Sequence, residues 1–163
     1  MPVLPICLFP DPVLRRPAKS VNLREDIRDF VQKLTETMYA QPSGIGIAAP
    51  QVGDSRQIII VDVSARDTSK TCHIMVNPVI VQREGEVISR EGCMSLPDYT
   101  ANVRRSEKVR VVWRDEEGKP RKKTFHGIES MCVQHEVDHL EGKLILDRVA
   151  CLKTDVLPRR QRA

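Results

Sequence analysis

The order of the secondary-structure signals constrains this chain most. A helical pattern lies near the start, β-branched runs fill the middle, and a second helical segment lies near the end. That order favours an α+β architecture over alternating α/β units. Ile27, Phe30, Val31, Leu34 and Met38 recur at helical spacing, and Asn22 with Glu25 three residues on has the form of a capping box, so the first helix is expected over residues 23–40. The prolines and glycines of "QPSGIGIAAPQVG" then favour a loop or an irregular strand edge. "RQIIIVDV" is a short β-branched run between turn formers, too brief for a core helix, and reads as a buried strand. Strands near "HIMVNPVIVQ" and "EVISR" flank a turn at "REGE", and "KVRVVWRD" with "PRKKTFH" makes a hairpin about "EEGK". These are antiparallel signals. The late helix is expected over residues 128–141, closed by Gly142, because glycine takes a left-handed conformation most cheaply.

At 163 residues there is room for one compact domain, and the whole length 1–163 is expected to be one, with a short basic tail from about 153. No apolar run is long enough to cross a bilayer, and the prolines of "MPVLPICLFPDPVLRRPAKS" forbid a signal-peptide helix, so the cytoplasm is expected and a membrane partner is not. Cys7, Cys72, Cys93, Cys132 and Cys151 are odd in number and irregularly spaced, which argues against a disulfide framework and for free thiols. The charge of +4 sits largely in Arg159, Arg160 and Arg162 and their neighbours. Such a tail offers a contact to an acidic surface such as the ribosome, although most are simply solvated. With aromatics at 4% there is no stacking platform for bases, and DNA is not an expected partner.

The late helix carries the chemistry. In "CVQHEVDHLEG", His135 and His139 are four residues apart, so both can send a ring nitrogen to one metal ion. Glu136 is rotated by roughly 100° from His135, off the ion but within reach of a water at its open position. The plain alternative is a solvated helical face. A catalytic ion also wants a third protein ligand. Asp147 and Asp155 lie downstream in no recognisable context. Cys132 shares the helical face but stands two turns from His139 and reads better as a small apolar wall. Cys93, beside Gly92 in "EGCMSLP", is a loop thiol that could approach an ion closely.

"GIGIAAPQ", "EGCMS" and "QHEVDHLEG", in this order and at these separations, resemble the signature segments of the peptide deformylases. "PDPVLRRPAKSV" and "NPVIV" extend the resemblance over nearly the whole chain. It implies an α+β fold in which antiparallel or mixed sheets pack around a central metal-binding helix, with an N-terminal helix. It implies a hydrolase that removes the formyl group from the initiator methionine of nascent polypeptides, yielding formate. By the same resemblance Cys93, His135 and His139 bind one divalent ion, and Glu136 is the general base and later the acid. Gln51 and the backbone N–H of Met94 donate to the oxyanion, and Gly46 lets the substrate run close to the main chain. The resemblance implies Fe2+ in the cell, with Zn2+, Ni2+ or Co2+ able to replace it, whereas ligand preference alone suggests zinc. Met94 stands where Leu is usual in the family, a change of little weight for a backbone role. Ile128, Met131 and Cys132 precede His135 on its helical face and, with Ile45, are candidates for a methionine slot. Their other reading is ordinary core. The resemblance suggests that Arg105 pairs with Glu91 to brace the cysteine segment, which a plain surface charge would equally explain; Asp138 is expected to support neighbouring structure, and His73 and His126 to be strand or edge residues. Two rivals use parts of the pattern: a metallopeptidase with a downstream acid as third ligand, and a non-enzymatic ribosome- or RNA-binding module.

Overall fold

A computed structural model of the chain describes residues 3–42 and 44–159. Its elements run α1 (Arg28–Tyr39), β1 (Gly46–Ala48), β2 (Ile58–Val61), β3 (His73–Glu84), β4 (Val87–Cys93), β5 (Leu96–Arg105), β6 (Lys108–Arg114), β7 (Pro120–His126), α2 (Gly127–Leu140), α3 (Leu152–Asp155) and β8 (Val156–Pro158). They form a five-stranded sheet in the order β1-β2-β3-β6-β7 and a three-stranded sheet in the order β4-β5-β8, with every pairing antiparallel. The expected α+β class is the one found.

β2 shows why the core sits where it does. Successive side chains of a strand point to opposite faces. Ile59 and Val61 pack with Val133, Val137 and Leu140 of α2, while Ile58 and Ile60 pack with Val31, Leu34 and Met38 of α1. The large sheet is thus covered by one helix on each face, and all four β2 residues are buried. The smaller sheet closes a separate apolar cluster of Cys93, Leu96, Ala101, Val103 and Ile145.

Three expectations need correction. The first helix starts at Arg28 rather than 23, because Asn22 accepts the N–H of Arg24 in a local turn and Asp26 then accepts that of Arg28. The strands flanking "REGE" do not pair with one another. Gly85, at φ 72°, lets the chain leave one sheet at Glu84 and enter the other at Val87. "LPDYTANVRR" is a full strand, β5, that the sequence patterns do not announce. The "GIGIAAPQVG" segment divides into the short edge strand β1 and a 3-10 turn over Ala49–Val52. Within the segment read as a basic tail, Val156–Pro158 pairs with Tyr99–Ala101 of β5. Arg160 and Arg162 lie outside the described residues.

Candidate metal centre

Three elements meet at one point. β4 delivers Cys93 at its last residue, α2 delivers His135 and His139 one turn apart, and the ligand atoms of these three residues lie within 4.8 Å of one another. Cys93 Sγ stands 3.4 Å from His139 Nε2. Burial would push the Cys93 thiol up, but the imidazoles of His139 and His135 more than offset this and hold it well below its ordinary value. A thiol so placed gives up its proton readily to a cation, which binds the thiolate form. The other candidate ligands are engaged elsewhere. Asp147 accepts from Arg15 and from the backbone N–H of Leu144, and Asp155 accepts from the N–H of Cys151. Cys132 donates to the Ile45 carbonyl at 3.4 Å, and burial keeps its thiol well above the ordinary value.

The strand period explains the next contact. Glu91 is two residues before Cys93 and so faces the same side of β4. Its Oε1 lies 2.9 Å from His135 Nδ1. A carboxylate can only accept, so the ring donates from Nδ1, which leaves Nε2 as the nitrogen able to face an ion. Arg105 donates to both Glu91 oxygens, at 3.0 and 2.8 Å, and to Asp138 at 2.6 Å. Asp138 also accepts from Arg148. Gln134, one turn before Asp138, ties the helix to Ser106, accepting its N–H at 2.9 Å and donating to its carbonyl at 2.7 Å. Of the two readings open for Arg105, the brace to Glu91 is the one found, and Asp138 supports neighbouring structure as expected. The Glu91–His135 contact and the Gln134 clamp are additional.

Glu136 is 4% exposed, and burial raises its carboxyl above the ordinary range although the two histidines oppose this. Its Oε1 has no hydrogen-bond partner among the described residues, and neither has Nδ1 of His139. A buried carboxylate oxygen left unpaired is unusual in a stable fold and points to a role outside it. Gln51 is oriented by its other end, because its Oε1 accepts the Ala48 N–H at 3.0 Å. Its Nε2 is thereby aimed inward, 3.2 Å from Ser95 Oγ and 3.7 Å from Cys93 Sγ. Ser95 was not singled out in the sequence, although "EGCMS" contains it. Met94 and Ser95 form the two-residue turn between β4 and β5.

A cleft of about 650 Å³ opens onto this cluster. Ile45, Gly46, Gln51, Met94, Ile128, Met131, Cys132, His135 and Glu136 all line it, so the residues singled out for substrate share one wall system, with His139 behind. At Gly46 a Cβ would stand 2.6 Å from Glu136 Oε2 and 2.7 Å from Cys132 Sγ. Glycine is therefore required there by the close approach of α2. His73 opens β3 and His126 ends β7, as expected of strand residues, and His73 Nε2 also lies 3.4 Å from the buried Glu129. The donor set of one thiolate and two imidazoles, with a fourth side left to the cleft, fits a divalent ion of the zinc or ferrous class. No helix of the described residues is long and apolar enough to cross a membrane.

The sequence model of the family described as polypeptide deformylase matches residues 3–155. A peptide deformylase of Syntrophobacter fumaroxidans is 40% identical over 161 residues, spanning 98% of this chain and 94% of that protein. One of Brucella suis is 42% identical over 159 residues, spanning 96% and 90%. The crystal structure of a peptide deformylase from Legionella pneumophila superposes with a TM-score of 0.85 at 37% identity, covering 93% of this chain and 89% of that one.

Proposed function

The chain belongs to the peptide deformylase family, and from that premise we propose which of its atoms carry the reaction. The enzyme is a metallohydrolase that removes the N-formyl group from the initiator methionine of newly synthesised polypeptides and releases formate. Cys93, His135 and His139 hold the ion, which is ferrous iron in the cell, with zinc, nickel or cobalt as replacements. When bound, it polarises the formyl oxygen and brings the pKa of water toward about 7.

The chain's own groups do the rest. Glu136, buried with an unpaired oxygen, takes the proton of the attacking water and passes it to the departing amine nitrogen. A carboxyl raised by burial is suited to both duties, since it holds a proton more readily than an exposed one. As the carbonyl carbon becomes tetrahedral, Gln51 Nε2 and the Met94 N–H donate to its oxygen; one such donor is typically worth about 3 kcal/mol. β1 and β4 are each the outer strand of their sheet and both border the cleft, so an extended peptide can lie between them. Ile45, Ile128, Met131 and Cys132 enclose the methionine side chain, and Gly46 keeps this wall low. The chain acts as one catalytic unit in the cytoplasm, and its basic carboxyl-terminal residues contact the ribosome.

The observation that carries the assignment is the convergence of Cys93, His135 and His139 beside the buried Glu136, whose Oε1 has no partner among the described residues. Anaerobically purified protein is expected to release formate from formyl-Met-Ala-Ser. Glu136→Ala is expected to keep the metal and lose at least about a hundredfold in kcat. Undiminished turnover in that variant would remove Glu136 from the mechanism.

A further inference from the structure

Three arginines line the cleft without a part in the chemistry: Arg66, Arg90 and Arg159. Among the described residues none of them forms an ion pair, whereas Arg105 and Arg148 behind the site are each engaged with carboxylates. The two acids on the cleft wall do not compensate them. Glu91 is tied to His135 and Arg105, and Glu136 is buried at the reacting end. The outer part of the cleft is therefore cationic.

The place of Arg159 is built by the fold. β8 pairs with β5 through Tyr99↔Pro158, and the next residue, Arg159, donates its backbone N–H to the Asp98 carbonyl at 2.8 Å. From there its guanidinium reaches back past β5 to Gly92 of β4. A Cβ at Gly92 would lie 1.8 Å from Nη2, so the glycine next to Cys93 is what makes room for the cation. Arg90 lies two residues further back on the same strand. A planar guanidinium whose donors have no partner among the described residues, held at the rim of a peptide cleft, is shaped to receive a carboxylate in bidentate fashion.

An extended peptide advances about 3.3 Å per residue. Laid along β4 with the formyl group at the metal end, its second and third residues would run beside Gly92 and Arg90, which line the cleft. We propose that Arg159, together with Arg90 and Arg66, forms an anion subsite that favours formylated chains carrying Asp or Glu at the second or third residue. The inference rests on the peptide-binding reading above.

The test compares kcat/KM of the anaerobically purified full-length enzyme on carboxamide-capped formyl-Met-Ala-Glu and formyl-Met-Glu-Ala with that on their Gln counterparts. A further arm uses the Gln peptides with a free terminal carboxylate, to separate side-chain from terminal recognition. The Glu peptide is expected to be favoured about threefold to tenfold in at least one position. That ratio should fall toward unity in Arg159→Ala and in roughly 0.5 M salt, and Arg159→Glu should turn the preference toward Lys. Equal rates for Glu and Gln at both positions, a preference that Arg159→Ala leaves intact, or one confined to free terminal carboxylates overturns the inference alone. Absence of turnover on every peptide overturns the site assignment and the inference with it.

Discussion

His135 owes its usefulness to a neighbour outside the signature helix. Glu91 accepts its Nδ1–H at 2.9 Å and so fixes which nitrogen faces the ion. Glu91→Gln keeps the shape but gives up the charge, and is expected to weaken metal binding about tenfold to a hundredfold, read by chelator competition. Unchanged affinity would show that the ring needs no such partner. Gly46 makes a complementary case. Gly46→Ala forces a methyl against Glu136 Oε2 and Cys132 Sγ, so it should cost about 1–3 kcal/mol in urea denaturation and lower kcat, the base being the group displaced. The two histidines were legible from spacing alone, and Cys93 from the resemblance. Ser95 was not, because a buried serine that receives an amide looks in sequence like any turn serine.

At the scale of elements, α1 follows from apolar periodicity, α2 from its Gly142 stop, β2 from its β-branched run and the β6–β7 hairpin from the turn between its strands, and β5 from none of these. Its inward positions are Ala101, Val103 and Arg105, so a charged residue stands where the pattern asks for an apolar one, and Pro97 and Asp98 suggest a turn. Arg105 is inward because it joins β4 to α2 through Glu91 and Asp138. This junction sets an acid limit on the metal-free protein. Burial would raise both carboxyls, but the arginines, and for Glu91 also His135, outweigh it, holding Glu91 down to about 2 and Asp138 below its ordinary value. A carboxyl depressed in the folded state stabilises it fully above its unfolded pKa, about 4, and less as pH falls toward the folded value. The thermal midpoint of chelator-treated protein should therefore drop as pH falls from about 4.5 toward 2, and less steeply in an Asp138→Asn variant. A midpoint independent of pH in that window would count against the junction.

Over the whole molecule, the site exists because two sheets meet at one helix. α2 covers the inner face of the large sheet with Val133, Val137 and Leu140, and turns His135 and His139 outward to the small sheet that carries Cys93. The sequence announced both partners of this arrangement but not that the "REGE" turn separates them into different sheets. A turn flanked by strands reads as a hairpin, and only pairing with β5 and β6 on either side reveals otherwise. The most direct test is an anomalous difference map from crystals of the anaerobically purified enzyme, collected at the absorption edge of the bound metal. One peak is expected, about 2.3 Å from Cys93 Sγ and about 2.1 Å from a ring nitrogen of each of His135 and His139, with Glu136 outside bonding distance. A peak bonded to Glu136, or one that leaves Cys93 out of its coordination, would contradict the account.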